Sequence, residues 1–401
     1  MRITIVTDVL GEENNGTTIT VKRLINNLKL RGHDVSVICA GEVNEAGYYA
    51  VGQRDFKIFN GYFAKNGVTL AKPNEEVLRR CIEKSDVVHV LMPFSLGKAA
   101  VHICNELKIP VTTAFHVQPE NVSSHFGLLH SKQFNGYLYK YFLNGFYQYT
   151  DYIHCPTAFI ADQLRAHGYT QDLRVISNGV DPIFIPEKKE KPKEYADKFC
   201  ILSTGRLVKE KCQKDLFEAV RLSRHADEIQ IFLAGEGPLE GRLRHAGKKL
   251  KNAPNISFHP KNEMVDLINF CDLYVHPSYA EIESIACVEA ITCGLVPVIS
   301  NSKMSAAKYF ALDDRNLYPA GNVKALARRI DFMIEHPEFR ETQRLEYIRY
   351  AERFRIEKCI DKMEQLFADA IAGKRVRQPA EEAEAEDCGE GAADHRQNAY
   401  E

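Results

Sequence analysis

The chain has 401 residues, 45% apolar and 26% charged, with 24 Gly and 16 Pro; this length predicts two domains and the composition excludes collagen-like, coiled-coil and wholly disordered chains. Net charge is −2, but residues 378–401 alone carry −7, leaving a weakly basic body at +5 that suits an anionic small ligand or lipid surface and excludes a nucleic-acid binder. No apolar run reaches the 18 residues of a membrane span, and acids follow the N-terminal strand too soon for a signal peptide, so a cytoplasmic protein is expected.

Ile3–Thr7 reads as a strand, followed by a helix with Val21, Leu24, Ile25 and Leu28 at helical spacing. Strands are expected at Val35–Ile38, Val87–Leu91, Val111–Phe115, Tyr152–Cys155 and Arg174–Ile176, with helices in most gaps. The pattern restarts at Cys200–Thr204 and continues with Gln230–Ala234, Ile256–Phe258, Leu273–His276 and Val296–Ile299. Apolar strands alternating with helices predict two parallel, doubly wound α/β sheets, whose ligands bind beyond the carboxyl ends of the strands. The boundary falls near residue 180, where Ser177-Asn178-Gly179-Val180-Asp181-Pro182 leads into a charged linker. The expected domains are 1–180 and 181–355, with helices at 338–352 and 356–372 bridging back and a disordered acidic tail at 374–401. Eleven unpaired-looking cysteines, with no CxxC and several in apolar runs (Cys39, Cys155, Cys200, Cys271), read as buried thiols.

Candidate chemistry lies just after strands. Gly16 opens the first helix, where a backbone can approach a phosphate; it reads equally well as a turn glycine. Arg206 and Lys211, on the loop after the second half's first strand, can clamp a diphosphate. Gly235-Glu236-Gly237 forms a turn against which a base or ribose can lie, or a left-handed turn that needs glycine. Glu281 sits in a loop before a helix capped by Ser284, and Glu289 sits more than one turn inside that helix. Both can accept hydrogen bonds from vicinal hydroxyls, while the amides after Ser284 point at an anion between them. An acid between Val288 and Ala290 should be buried, and burial demands a partner.

Together the Gly205-Arg206-x4-Lys211 loop, the Ala234-Gly235-Glu236-Gly237-Pro238 turn, and Glu281-x7-Glu289 with its Ala290, Gly294 and Pro297-Val298 tail resemble the retaining glycosyltransferases of family 4, which have the GT-B fold. Asn15-Gly16, Ala114-Phe115-His116 and Ser177–Asp181 extend the resemblance over nearly the whole chain. It implies two Rossmann-like domains facing a cleft, with C-terminal helices crossing back. Arg206 and Lys211 would hold the nucleotide diphosphate, assisted by Gly16, Gly235, Glu236, Ser284 and Ile285. Glu289 would hold the ribose, Glu281 the transferred sugar, and His116 would line the reaction centre from the opposite domain. The family often has Gly-Phe-Gly after the first Glu; here Ile282-Glu283-Ser284 puts a second carboxylate, Glu283, beside the sugar. The implied reaction transfers a hexose from a UDP-linked donor with retention, with the donor phosphate taking the acceptor's proton and no metal or other cofactor.

Residues 132–149 are unusually aromatic. Phe134, Tyr137, Leu138, Tyr141, Phe142, Phe146 and Tyr149 form one stripe, read either as a core face or as an interfacial helix with Tyr139, Lys132 and Lys140 at lipid headgroups. The Phe115–Asn121 segment resembles bacterial glycosyltransferases acting on diacylglycerol and related lipids, which suggests a lipid acceptor and a peripheral site at the inner membrane face. Alternatives are a cell-wall or capsular glycan as acceptor, or a nucleotide-sugar epimerase on the same fold.

Overall fold

The computed structural model describes residues 1–8, 10, 16–41, 45–54, 70–124, 127, 128 and 130–374. The tail from 375 onward, and the first loop apart from Leu10 and the backbone at Gly16, lie outside the described residues. Strands β1 (Arg2–Val6), β2 (Asp34–Ala40), β3 (Tyr48–Val51), β4 (Val87–Val90), β5 (Val111–Ala114), β6 (Tyr152–Cys155) and β7 (Asp172–Val175) form one sheet in the order β3-β2-β1-β4-β5-β6-β7. Every pair is parallel, so each connection must cross over. The crossovers carry α1 (Gly16–Leu30), α2 (Glu75–Ile82), α3 (Ser95–Leu107), α4 (Pro119–Ser124), α5 (Lys132–Gly145) and α6 (Ala158–Ala166). The order reverses between β1 and β4, so the crevice of this sheet opens at their carboxyl ends.

The design repeats. β8 (Phe199–Thr204), β9 (Ile229–Ala234), β10 (Asn255–Ser257), β11 (Leu273–His276), a short β12 (Ala280–Glu281), β13 (Pro297–Ser300), a short β14 (Met304–Ser305) and β15 (Leu317–Tyr318) follow. Six of them make the sheet β10-β9-β8-β11-β13-β15, while β12 and β14 pair separately beside it. Between and after them lie α7 (Gln213–Leu222), α8 (Glu240–Gly247), α9 (Lys261–Phe270), α10 (Ile285–Thr292), α11 (Val323–Glu335), α12 (Pro337–Ala351) and α13 (Ile356–Ile371). The expected doubly wound pair of sheets is therefore present. Ten cysteines are described and all are free; nine are buried and Cys212 is partly so.

Only one of the two late helices returns to the first half. α12 stays with the second half, where its Tyr347 joins the core of Val288 and Ile291 from α10. α13 crosses back, burying Ile356, Ile360, Met363, Leu366 and Phe367 against Ile3 and Ile5 of β1 and Val21 and Ile25 of α1. Five such side chains stabilise by up to roughly 10 kcal/mol on an extended-chain reference. Polar ties fix its register: Arg174 reaches Asp369 at 2.9 Å, His33 meets Glu364 at 2.6 Å, and Arg31 binds Asp361 and Glu364.

The aromatic segment splits between its two readings. Tyr139, Phe142 and Phe146 are core, whereas Tyr137, Tyr141 and Tyr149 are exposed. Tyr139, assigned to headgroups in the interfacial reading, is instead fully buried, donates to Glu120 at 3.1 Å and stacks on His167. Among the described residues no helix is long and apolar enough to cross a membrane.

Candidate active site

Three loops at the carboxyl ends of β8, β9 and β11 are tied into one body. Gly235 has φ +156°, and a Cβ there would lie 2.2 Å from the Gly205 carbonyl oxygen; at Gly237 it would lie 2.6 Å from that of Leu207. These glycines let the loop after β9 close on the loop after β8, sealed by Leu207 N–H to Glu236 O at 2.8 Å and Leu239 N–H to Leu207 O at 3.0 Å. Loop-on-loop contact thus occupies the glycines that the sequence offered to a base or ribose. The Glu210 carbonyl in turn accepts from Tyr279 N–H at 2.7 Å and Ser278 Oγ at 3.3 Å, joining the loop after β11.

At this junction Lys211 and Glu281 form an ion pair, its ammonium stem lying over Gly205. Ser278 Oγ donates to the same Glu281 oxygen at 2.6 Å, and His276 Nε2 approaches it at 3.2 Å. Tyr274 Oη lies 3.2 Å from His276 Nδ1, so a neutral imidazole carrying its proton on Nε2 satisfies both contacts. Burial alone would raise the Glu281 carboxyl, but Lys211 and His276 outweigh it and hold the group well below the usual range, ionised. Arg206 stands at the mouth with a half-exposed guanidinium, 3.6 Å from Glu210.

The start of α10 departs from expectation. Ser284 caps nothing with its side chain; it adopts φ +65°, and its hydroxyl meets His276 Nε2 at 3.0 Å. That left-handed residue re-aims the chain so that Ile285 begins the helix, with the Cys287 and Val288 amides donating back to the Ser284 carbonyl. Glu283, read from the sequence as a second carboxylate beside the sugar, has both oxygens engaged at the hinge. Buried, it turns to the hinge and accepts from Ser177 Oγ, from Asn178 N–H at 3.1 Å and from Asn178 Nδ2 at 2.5 Å. Burial pushes it up to about 7 against those bonds.

Glu289 lies inside α10 as the sequence placed it, and its expected partner is Arg23 of α1, 3.6 Å away. Burial raises Glu289 to about 7, opposed by Arg23 and then Lys261. His116, just past β5, packs edge-on to His154 at 5.6 Å and lines a cavity of about 20 Å³ shared with Ser177 and Asn178. Burial and His154 push it down to about 3, so it is a neutral imidazole. The structure thus brings Lys211 and Glu281 into contact and leaves Arg206 on the same loop with Glu210 as its side-chain neighbour, whereas His116 is grouped with the hinge. Arg23, His276, Ser278 and the hinge pair Ser177-Asn178 were not singled out as site residues. Arg23 had a readable signal, a cation adjoining the buried stripe of Val21 and Leu24; His276 and Ser278 had none beyond their nearness to Glu281.

Residues 14–184 match Glycosyltransferase Family 4 and residues 184–354 match Glycosyl transferases group 1. The chain belongs to the family 4 glycosyltransferases. As such it transfers a sugar from a nucleotide-sugar donor. An alpha-monoglucosyldiacylglycerol synthase of Streptococcus pneumoniae is 25% identical over 346 residues, 78% of this chain and 76% of that protein. A GDP-mannose-dependent alpha-mannosyltransferase of Corynebacterium glutamicum is 26% identical over 75% of this glycosyltransferase and 72% of its own length. Anabaena HepE in complex with UDP-glucose superposes with a TM-score of 0.70 at 16% identity, covering 92% of this chain and all of that one, which establishes the GT-B fold.

Proposed function

We propose that this glycosyltransferase moves a hexose, with retention, from a UDP-linked donor to the hydroxyl of a membrane lipid such as diacylglycerol, with residues 1–180 as the acceptor side and 181–355 as the donor side. The observation that carries the donor assignment is the Lys211–Glu281 ion pair, joining the loop that also bears Arg206 to the segment that leads into α10. Cleaving the anomeric C–O bond builds negative charge on the leaving phosphate and positive charge on the sugar. Fixed cations and amides facing that phosphate favour the transition state over the ground state. Lys211 and Arg206 take the phosphates, Glu281 the sugar hydroxyls, Glu289 the ribose, and neutral His116 offers a hydrogen bond to the sugar without competing for charge.

The lipid acceptor is supported by the diacylglycerol acceptor named for the pneumococcal relative and by the exposed face of α5. There Tyr137 and Tyr141 stack at 6.4 Å, Lys98 stands 4.7 Å over Tyr141, and Lys132 and Lys140 are exposed. Tyrosine rings beside lysines suit the headgroup region of an anionic inner leaflet. The Corynebacterium relative favours a second donor, GDP-mannose. The test is mass spectrometry of products from UDP-glucose and GDP-mannose, with and without diacylglycerol vesicles. An α-linked glycolipid from the UDP-sugar is expected. Product only on soluble glycan acceptors would move the acceptor to a cell-wall or capsular polymer, and free or epimerised sugar without any acceptor would point to an epimerase.

A further inference from the structure

Arg23 is a buried cation in the half of the molecule that does not hold the donor loops. Its side chain is 6% exposed; one guanidinium nitrogen donates to the Gly179 carbonyl at the hinge, and the other, with no hydrogen-bond partner among the described residues, stands 3.6 Å from Glu289 Oε1. Gly179 itself has φ +74°, and a Cβ there would strike Ile356 at 2.7 Å, so the hinge carbonyl is held in place by glycine. A guanidinium taken out of water is retained only where a carboxylate and hydrogen-bond acceptors compensate it. Glu289 is that carboxylate, and it reaches Arg23 from the other sheet.

We propose that Arg23 is a positioning residue for the donor: across the hinge it favours the charged form of the Glu289 carboxyl and aims it so that it can accept the two ribose hydroxyls of a nucleoside diphosphate. This rests on the reading of Glu289 as the ribose grip. A protonated carboxyl offers a weaker acceptor to two donating hydroxyls than a carboxylate does. The groups around the Glu289 carboxyl are Arg23 from α1, Lys261 at the start of α9, Asp181 from the hinge, Tyr274 of β11 and Cys293 at the end of its own helix. Lys261 is already engaged by Asp181 at 2.7 Å, so Arg23 is the stronger support. Removing its charge leaves Glu289 protonated to higher pH.

The test is calorimetric binding of UDP, with GDP beside it, to the full chain at pH 7 and pH 9, for wild type, Arg23→Gln, Arg23→Lys, Glu289→Gln and the double variant Arg23→Gln/Glu289→Gln. Gln keeps a donor for the Gly179 carbonyl but no charge; Lys keeps the charge. For an upward shift of one unit from about 7, Arg23→Gln loses affinity about fivefold at pH 7 and less than twofold at pH 9, while Arg23→Lys keeps the wild-type pH profile. In the Glu289→Gln background, Arg23→Gln adds nothing. A loss equal at both pH values, or additive in the double variant, overturns the proposal and leaves Arg23 a hinge strut. Wild-type affinity in Glu289→Gln instead overturns the ribose reading itself, whatever Arg23 does. Should Arg23→Gln not fold, a shift of the Arg23→Lys profile to that of neither charge nor grip, with weakening at both pH values, has the same overturning force.

Discussion

Lys211 and Glu281 hold each other, so each side chain is oriented by the other. In the proposed function a donor phosphate would compete with Glu281 for the ammonium and free the carboxylate for sugar hydroxyls. Lys211→Ala is expected to lower kcat/KM about 100-fold. It also leaves Glu281 buried with only Ser278 and His276 as neutral partners, destabilising the fold by about 1–3 kcal/mol. Steady-state kinetics and a thermal melt check the two effects separately. Glu289→Ala is expected to lose transfer while retaining a cooperative melt; near wild-type turnover in either variant would remove the donor-site assignment. At this scale the sequence was legible in the meeting of Lys211 with Glu281 and in the buried partner that Glu289 demanded. It was not legible where a role depends on a distant segment. Glu283 looked like a sugar contact because Ser177 and Asn178, 106 and 105 residues away, cannot be seen as neighbours in a linear chain.

Strands and helices were more readable than their junctions. Tyr152–Cys155 and Leu273–His276 fall where their apolar runs predict. β12, β14 and β15 were missed because strands of two residues carry too little alternation to register, and the four-residue β3 was missed as well. Junctions also hold the strain. Lys108 ends α3 with φ +57° on the surface, a left-handed cap that glycine enters without a Cβ clash. Lys108→Gly is expected to stabilise the protein by about 0.5–1 kcal/mol in urea unfolding. Gly235→Ala acts the other way: its Cβ would meet the Gly205 backbone oxygen at 2.2 Å, so the two donor loops must part. The expected cost is about 2 kcal/mol or more, with weaker nucleotide binding in the same preparation. A stable Gly235→Ala with unchanged nucleotide affinity would show that loop closure does not shape the site.

Across the whole molecule the halves are joined by buried polar contacts: Glu283 to Ser177-Asn178, Arg23 to Glu289, and Thr157 Oγ1 to the Ile282 carbonyl at 2.9 Å. Buried carboxyls at such a junction make stability depend on pH. Burial pushes the Glu283 carboxyl up from its ordinary 4.5 to about 7, so the folded chain binds that proton more tightly than the unfolded one. Its contribution is full below about 4.5 and is lost as pH rises through about 7. Glu283→Gln, which cannot ionise, is therefore expected to gain about 2 kcal/mol relative to wild type between pH 5 and pH 8, read from urea midpoints. A constant difference across that range would mean that Glu283 ionises normally at the hinge.

The return of α13 to the first sheet has a consequence for synthesis. The face of β1 and α1 that Ile360, Met363 and Phe367 cover is made before the whole second sheet, whereas its cover is made after it. A nascent chain must therefore carry that oily face bare while the entire second half is translated. Ribosome-bound intermediates stalled before residue 356 should recruit holdase chaperones, and those released after 371 should shed them.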